Sequence, residues 1–505
     1  MIDAVTGPHN PKRRADTAIL IAIAAAFALL HLFTNSRYGF HRDELQFLSD
    51  AQHLDWGFVS YPPFTPFVER IALIFFGISM AGLRFFSVIA QAIVILASGL
   101  MARDLGGSRF AQIVAALSVG LSALPLFEGT QFQYTSFSYF WWILTCMFTV
   151  RLLQSENPRW WLAIGTCIGC ALLSKYSVVF FIPGLLAGLV LTSARRLIAT
   201  RWFWFGVTLA CLLFLPNCVW LLRHNFISYH FLQTIHVRDV GEGLADAYWK
   251  HQLLFDINPV AIPLWIVGLV ACIRIRRYRM LAWMYAVPVL LFWIGKGRFY
   301  YVAEAYPAIL AMGAAAAEHW MISRPAWLRR ALSIVFFAGL FASGALCAAV
   351  LLPFASRGPL RQFALAHNGD LREEIGWNEL VCTVAGIRNA LPPGQRSGAG
   401  IFTGNYGEFG AIAVLGRPYG LPQPIGTTNS EWLRGYPTPP PTTLIVLGLS
   451  ANQANMLFTG CRLAGHNGNA EGVSNQESQN YPDIFVCGSP RKPWPEFWKE
   501  NRWFG

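Results

Sequence analysis

The chain has 505 residues, of which 54% are hydrophobic and only 13% charged, where a soluble protein carries roughly 25% charged residues. Long apolar runs such as 18–33 and 331–352 account for the deficit and exclude a water-soluble globule, because runs of about 18 or more apolar residues read as membrane helices. The net charge of +12 does not indicate a nucleic-acid partner: 27 basic against 16 acidic residues precede Pro353, while 353–505 is nearly balanced at 12 against 11, so the basicity follows the loops between apolar segments.

In chain order, the first apolar run carries no small-residue cleavage site and leads straight into further runs, so it reads as a membrane helix and not as a removable leader. Hydropathy places spans at 17–34, 83–101, 110–126, 137–152, 160–174, 178–191, 202–222, 259–275, 281–294, 302–320 and 331–352. The expected fold class is therefore an α-helical polytopic membrane protein of about 11 transmembrane helices over 1–352, followed by a small C-terminal α/β domain over 353–505. With Lys12, Arg13 and Arg14 inside, 17 basic residues fall in inner loops and 10 in the outer loops before the tail. The reverse topology would invert that bias. The expected location is a bacterial inner (plasma) membrane, with the N-terminus cytoplasmic and the tail periplasmic.

Two outer loops are long. The first, 35–82, is too polar to span and too apolar to lie free in water; its second half, 63–80, has helical apolar spacing with Arg70 and Arg84 at its margins and reads as an interfacial amphipathic helix. The second, 223–258, holds His224, His230, His236 and His251. In the tail, β-like runs at 400–402, 411–415, 443–447 and 484–487 alternate with turn signals, 371–391 looks helical, and 437–441 is a proline-stiffened loop. Of the ten cysteines, seven lie in or near spans as small apolar packing residues; outside the cytoplasm, Cys461 and Cys487 would form a disulfide, with Cys382 left over.

The informative segment follows the first span directly. Asp43 and Glu44 are adjacent acids just beyond it, where a carboxylate is costly unless paired or used. One of them can act as general base toward an acceptor hydroxyl, and its neighbour can hold a metal ion or orient the acceptor. The plainer alternative is a helix start favoured by acids in its first turn. His41 and His53 stand close enough in sequence to join Glu44 as ligands of a divalent metal ion, or to hydrogen-bond locally.

Arg42-Asp43-Glu44-Leu45, Asp55-Trp56-Gly57, Tyr61-Pro62-Pro63, Arg103-Asp104-Leu105-Gly106-Gly107, Lys175-Tyr176-Ser177, Lys296-Gly297-Arg298-Phe299-Tyr300-Tyr301 and Tyr306-Pro307 occur in an order and topology that resemble the GT-C glycosyltransferases. The likeness is greatest to the branch of protein mannosyltransferases and lipid A aminoarabinose transferases, and Asn405-Tyr406-Gly407-Glu408 and Asn429-Ser430-Glu431-Trp432-Leu433 in the tail are similar to it too. The resemblance implies a GT-C fold and an inverting transfer of a sugar from a polyprenyl-phosphate donor to a hydroxyl on a cell-envelope glycan, lipid or protein. It puts Asp43 at the catalytic base, with Glu44 beside it. A phosphate leaving group calls for cations, and Arg42, Arg84, Lys175, Lys296 and Arg298 are the candidates for donor phosphate binding. Tyr61, Glu128, Arg223, Tyr300 and Tyr301 are candidates for the substrate pocket, with an aromatic interfacial belt as the plainer reading of the tyrosine pair. The chain departs from better-known members in two places: Ser60-Tyr61 stand before the proline pair where an acidic or basic residue is common, and near the fourth span, where many carry an acid, either Glu128 substitutes or there is no second acid. The competing reading, a transporter or flippase of lipid-linked sugars, predicts repeated halves and midplane polar residues. No internal repeat is visible, and charge gathers at the outer loops.

Overall fold

Helices dominate the computed structural model of the protein, which describes residues 11–505, with side chains from Arg13; Lys12 of the basic N-terminal triplet falls outside that description. All eleven apolar segments coincide with helical backbone, as lipid requires of any chain whose amides find no water. Among the described residues, five helices are long and apolar enough to cross a membrane: 13–34 of α1 (Pro11–Thr34), α4 (Met80–Asp104), Tyr134–Ser155, Arg201–Arg223 and Ala326–Leu351. The number rises to seven if the bent pairs Tyr176–Leu191 with Ser193–Ala199 and Tyr248–Asp256 with Pro259–Arg274 each make one span. The others are shorter or interrupted: the run at 110–126 is divided into Arg109–Gly120 and Ala123–Glu128, and that at 302–320 opens as a 3-10 turn, Phe299–Ala305, before Tyr306–Ile322.

The chain divides into two compact units: 1–35, 84–220 and 236–352 form one, and 36–83, 221–235 and 353–505 the other. The first outer loop thus belongs with the tail rather than with the helices that flank it in sequence.

Within the first unit, glycines let helices touch backbone to backbone. A Cβ on Gly165 would lie 2.1 Å from the Gly206 carbonyl oxygen, and one on Gly313 would lie 1.9 Å from that of Leu264. Without a hydrophobic drive inside lipid, such close van der Waals crossings hold helices together.

In the second unit, α2 (Arg42–Ala51) starts with a reciprocal cap: the His41 ring accepts from the Asp43 amide, and Glu44 accepts from the His41 amide. α3 (Phe64–Phe76) forms within 63–80, where an amphipathic helix was expected, and turns its apolar face outward. Glu69 is fully buried, while Ile74 and Phe75 are 69% and 75% exposed. An apolar outer face suits a lipid surface.

The tail carries a five-stranded sheet ordered β2-β1-β3-β5-β4. It comprises β1 (Ala399–Thr403), β2 (Ile425–Gly426), β3 (Thr443–Leu447), β4 (Arg462–His466) and β5 (Asp483–Cys487). β1 pairs in parallel with β2 and β3, and β5 runs antiparallel to β3 and β4. The run at 411–415 is not a strand. It is the second half of the helix Tyr406–Leu415, capped by the Asn405 side chain, which accepts from the Glu408 amide. That helix crosses α2 closely, since a Cβ on Gly410 would lie 2.5 Å from the Leu45 carbonyl. The second outer loop is not a loop either: Ile227–Gly241 and Tyr248–His251 are helical. Cys461 and Cys487 form a disulfide, and Cys382 is free and exposed.

Candidate active site

Asp43 sits in the first turn of α2 with its side chain 29% exposed. The Tyr406 hydroxyl donates to its Oδ1 at 2.9 Å. Arg42 Nε lies 3.9 Å from the same oxygen, and His41 Nδ1 lies 3.8 Å from Oδ2. Arg42 also reaches Gln476 and stands 3.6 Å from Glu477 Oε1, with its guanidinium 5.5 Å from the centre of the Tyr406 ring. Burial holds the Tyr406 phenol well above its ordinary value, with Arg42 opposing and Asp43 adding to the shift, so this hydroxyl remains a donor. An accessible carboxylate oriented by a fixed donor is what a general base needs.

Glu44 differs. It is fully buried, and its Oε2 accepts the His41 amide at 2.8 Å, so it starts the helix and is closed to substrate. The donor set does not fit the divalent ion considered for Glu44, His41 and His53. Glu44 and the His41 Nδ1 are committed to the cap, and His53 Nδ1 pairs with the Ser49 carbonyl at 3.0 Å. Among the described residues, no three His, Cys, Asp or Glu side chains converge for a metal. Tyr61 is 2% exposed and bonds to Asp50, which Arg434 holds from the other side. It is a core residue here and not a pocket wall.

The first unit gathers a second polar group. Lys175, 7% exposed, has its ammonium 4.2 Å from the centre of the Tyr301 ring, 5.6 Å from that of Tyr300 and 5.7 Å from that of Tyr134. Glu304, Glu128 and Arg298 all act electrostatically on it. Glu128 accepts from Thr135 and Ser136 hydroxyls, both at 2.8 Å. Asp239 holds Arg298 by two bonds of 2.6 and 2.7 Å, and Arg298 donates to Tyr300 at 2.9 Å. Five sequence candidates therefore meet: Lys175, Arg298, Glu128, Tyr300 and Tyr301. The others do not join them. Arg84 is 1% exposed and donates to the Asn35 carbonyl at 2.5 Å. Lys296 is exposed just past Arg279–Ile294, and Arg223 is exposed at the end of its helix. Sequence reading missed Tyr406, although it lies in a motif singled out, and Glu304, whose signal was a carboxylate in an apolar run.

The family model described as dolichyl-phosphate-mannose-protein mannosyltransferase matches residues 60–220. Lipid A galacturonosyltransferase RgtD of Rhizobium johnstonii is 27% identical over 263 residues, which cover 50% of this chain and 54% of that protein, so the match spans about half the length of the curated relative. The structure of ArnT from Cupriavidus metallidurans in the apo state superposes with a TM-score of 0.56 at 13% identity, over 93% of this chain and 97% of that one. Its complex with undecaprenyl phosphate gives 0.53 over the same shares, also at 13% identity. AglB, the archaeal oligosaccharyltransferase from Archaeoglobus fulgidus in complex with an inhibitory peptide and a dolichol-phosphate, also gives 0.53, at 12% identity, over 95% of this chain and 76% of that one. At such identities the solved structures speak for the fold alone: this chain shares the GT-C fold of ArnT and AglB, and parts of it are similar to the mannosyltransferase family model and to the galacturonosyltransferase.

Proposed function

We propose that this chain is an inverting glycosyltransferase that moves a sugar from a polyprenyl-phosphate donor to a hydroxyl acceptor on the outer face of the inner membrane. The observation that carries the reading is Asp43, an accessible carboxylate held at 2.9 Å by the hydroxyl of the half-buried Tyr406 and placed directly after the first membrane helix in sequence. Relatives whose names or titles include a lipid A galacturonosyltransferase, a complex with undecaprenyl phosphate and a complex with dolichol-phosphate support the donor class.

In the proposed step, Asp43 takes the proton of the acceptor hydroxyl as its oxygen bonds to the anomeric carbon. The bond from that carbon to the phosphate oxygen breaks, and its electron pair leaves with the lipid phosphate. Tyr406 holds Asp43 in line for the proton, and the Arg42 guanidinium stands 3.9 Å from the same carboxylate oxygen.

The test is transfer of radiolabelled sugar from short polyprenyl-phosphate donors to envelope extract. Asp43→Asn keeps the shape and removes the base, so label transfer should fall by about 100-fold or more. Tyr406→Phe should reduce it by about tenfold with folding retained, as the loss of one hydrogen bond to a charged group implies. Equal transfer by wild type and Asp43→Asn would remove Asp43 as base. No transfer by wild type from any donor would sink the enzyme reading.

A further inference from the structure

Glu304 is the group that the proposed step leaves unused. It lies at the end of the turn Phe299–Ala305 and is 3% exposed. Its Oε1 accepts the Ser138 hydroxyl at 2.5 Å, while its Oε2 is buried with no hydrogen-bond partner among the described residues. A buried carboxylate oxygen left without a donor costs free energy that the fold does not recover. Glu304 and Lys175 act on each other electrostatically, yet neither makes a direct ion pair with the other. The Lys175 ammonium is instead faced by the rings of Tyr134, Tyr300 and Tyr301. Arg298 is already neutralised by Asp239, to whose carboxylate it donates two hydrogen bonds. What remains beside the ammonium and its three aromatic rings is a carboxylate oxygen without a donor. A sugar fits that chemistry: its hydroxyls donate to a carboxylate and accept from an ammonium, and its C–H face lies against aromatic rings.

We propose that Glu304 and Lys175 form the subsite that binds the hydroxyls of the donor's sugar, with the free Oε2 of Glu304 accepting from one of them. The assignment rests on the glycosyltransferase reading, and the sugar-binding role is separable from it by experiment.

The experiment measures binding to the purified full-length protein of a polyprenyl monophosphate without sugar and of the same lipid carrying a neutral hexose, a hexuronate or an aminopentose. Wild type should bind at least one sugar-bearing lipid more tightly than the bare lipid. Glu304→Gln should lose about tenfold or more of that gain, as expected for a hydrogen bond to a charged acceptor, while its affinity for the bare lipid stays at the wild-type value. Retention of the full gain would overturn the proposal. So would equal loss of both ligands in Glu304→Gln and in Glu304→Asp, which would mark the residue as a packing element. A wild-type protein that transfers sugar but binds all four lipids alike would sink the subsite and leave the enzyme reading intact. One that neither transfers nor binds would sink both.

Discussion

Asp43 and Glu44 are consecutive in a helix, so their side chains leave the axis roughly 100° apart. That angle sends Glu44 back onto the His41 amide and leaves Asp43 facing solvent and Tyr406. The acid pair was legible in the sequence and the resemblance put the proposed base at Asp43, but the capping task of Glu44 was not legible, because a cap and a base can use the same residue type one position apart. Tyr406 was equally hard to read, since nothing local links it to Asp43, 363 residues away. Around this site the second unit buries further carboxyls. Burial and Glu477, opposed by Arg42, push Glu373 up to about 7, and burial, opposed by Arg434, pushes Glu431 up to about 8. A carboxyl raised above its unfolded value of 4.5 favours the fold in its protonated form. That contribution is complete below about pH 4.5 and is lost as pH rises through the folded values, so the window runs from about pH 4.5 to about pH 8. The thermal midpoint of the purified protein should therefore fall across that window, and Glu431→Gln should flatten the upper part of the fall. A midpoint that rises with pH there, or an unchanged slope in the variant, would contradict this account.

At the scale of elements, hydropathy located every helical segment of the first unit that it proposed, because a lipid environment leaves the backbone no alternative. Breaks were less legible: nothing in the apolar pattern at 110–126 announces two helices. The error at 411–415 has the same root. Five apolar residues fit a buried strand or a buried helix equally. The deciding signal was Asn405 placed three residues before Glu408, a helix start. Close crossings between helices were not read at all, although glycines mark them. Ile262–Arg274 and Tyr306–Ile322 approach so closely at Gly313 that a single methyl there meets the Leu264 carbonyl. Gly313→Ala should destabilise the protein by about 1–3 kcal/mol, the usual cost of overpacking. A thermal midpoint in detergent that stays at the wild-type value would show that the two helices can part at no cost.

For the whole molecule, the second unit is assembled from three stretches, 36–83, 221–235 and 353–505. A reading by composition cuts the chain once, at the last span, because it cannot see that a loop near the start packs with the tail. Cysteines offer a way to test where this unit resides. Under the proposed outer location, a membrane-impermeant maleimide should label Cys382 in intact spheroplasts, whereas Cys461 and Cys487 should react only after reduction. Labelling of Cys382 only after lysis would place the tail inside and reverse the topology. The long separation of Asp43 from Tyr406 also has a temporal meaning. At about 5–20 residues per second of synthesis, the base is made on the order of tens of seconds before the tyrosine that orients it. Through that interval the growing chain would already lie in the bilayer that holds the proposed donor, with the proposed proton acceptor still unaligned. Under the proposed mechanism the residue order acts as a clock, withholding turnover until Tyr406 has been made and leaving a chain aborted before it harmless to the donor lipid.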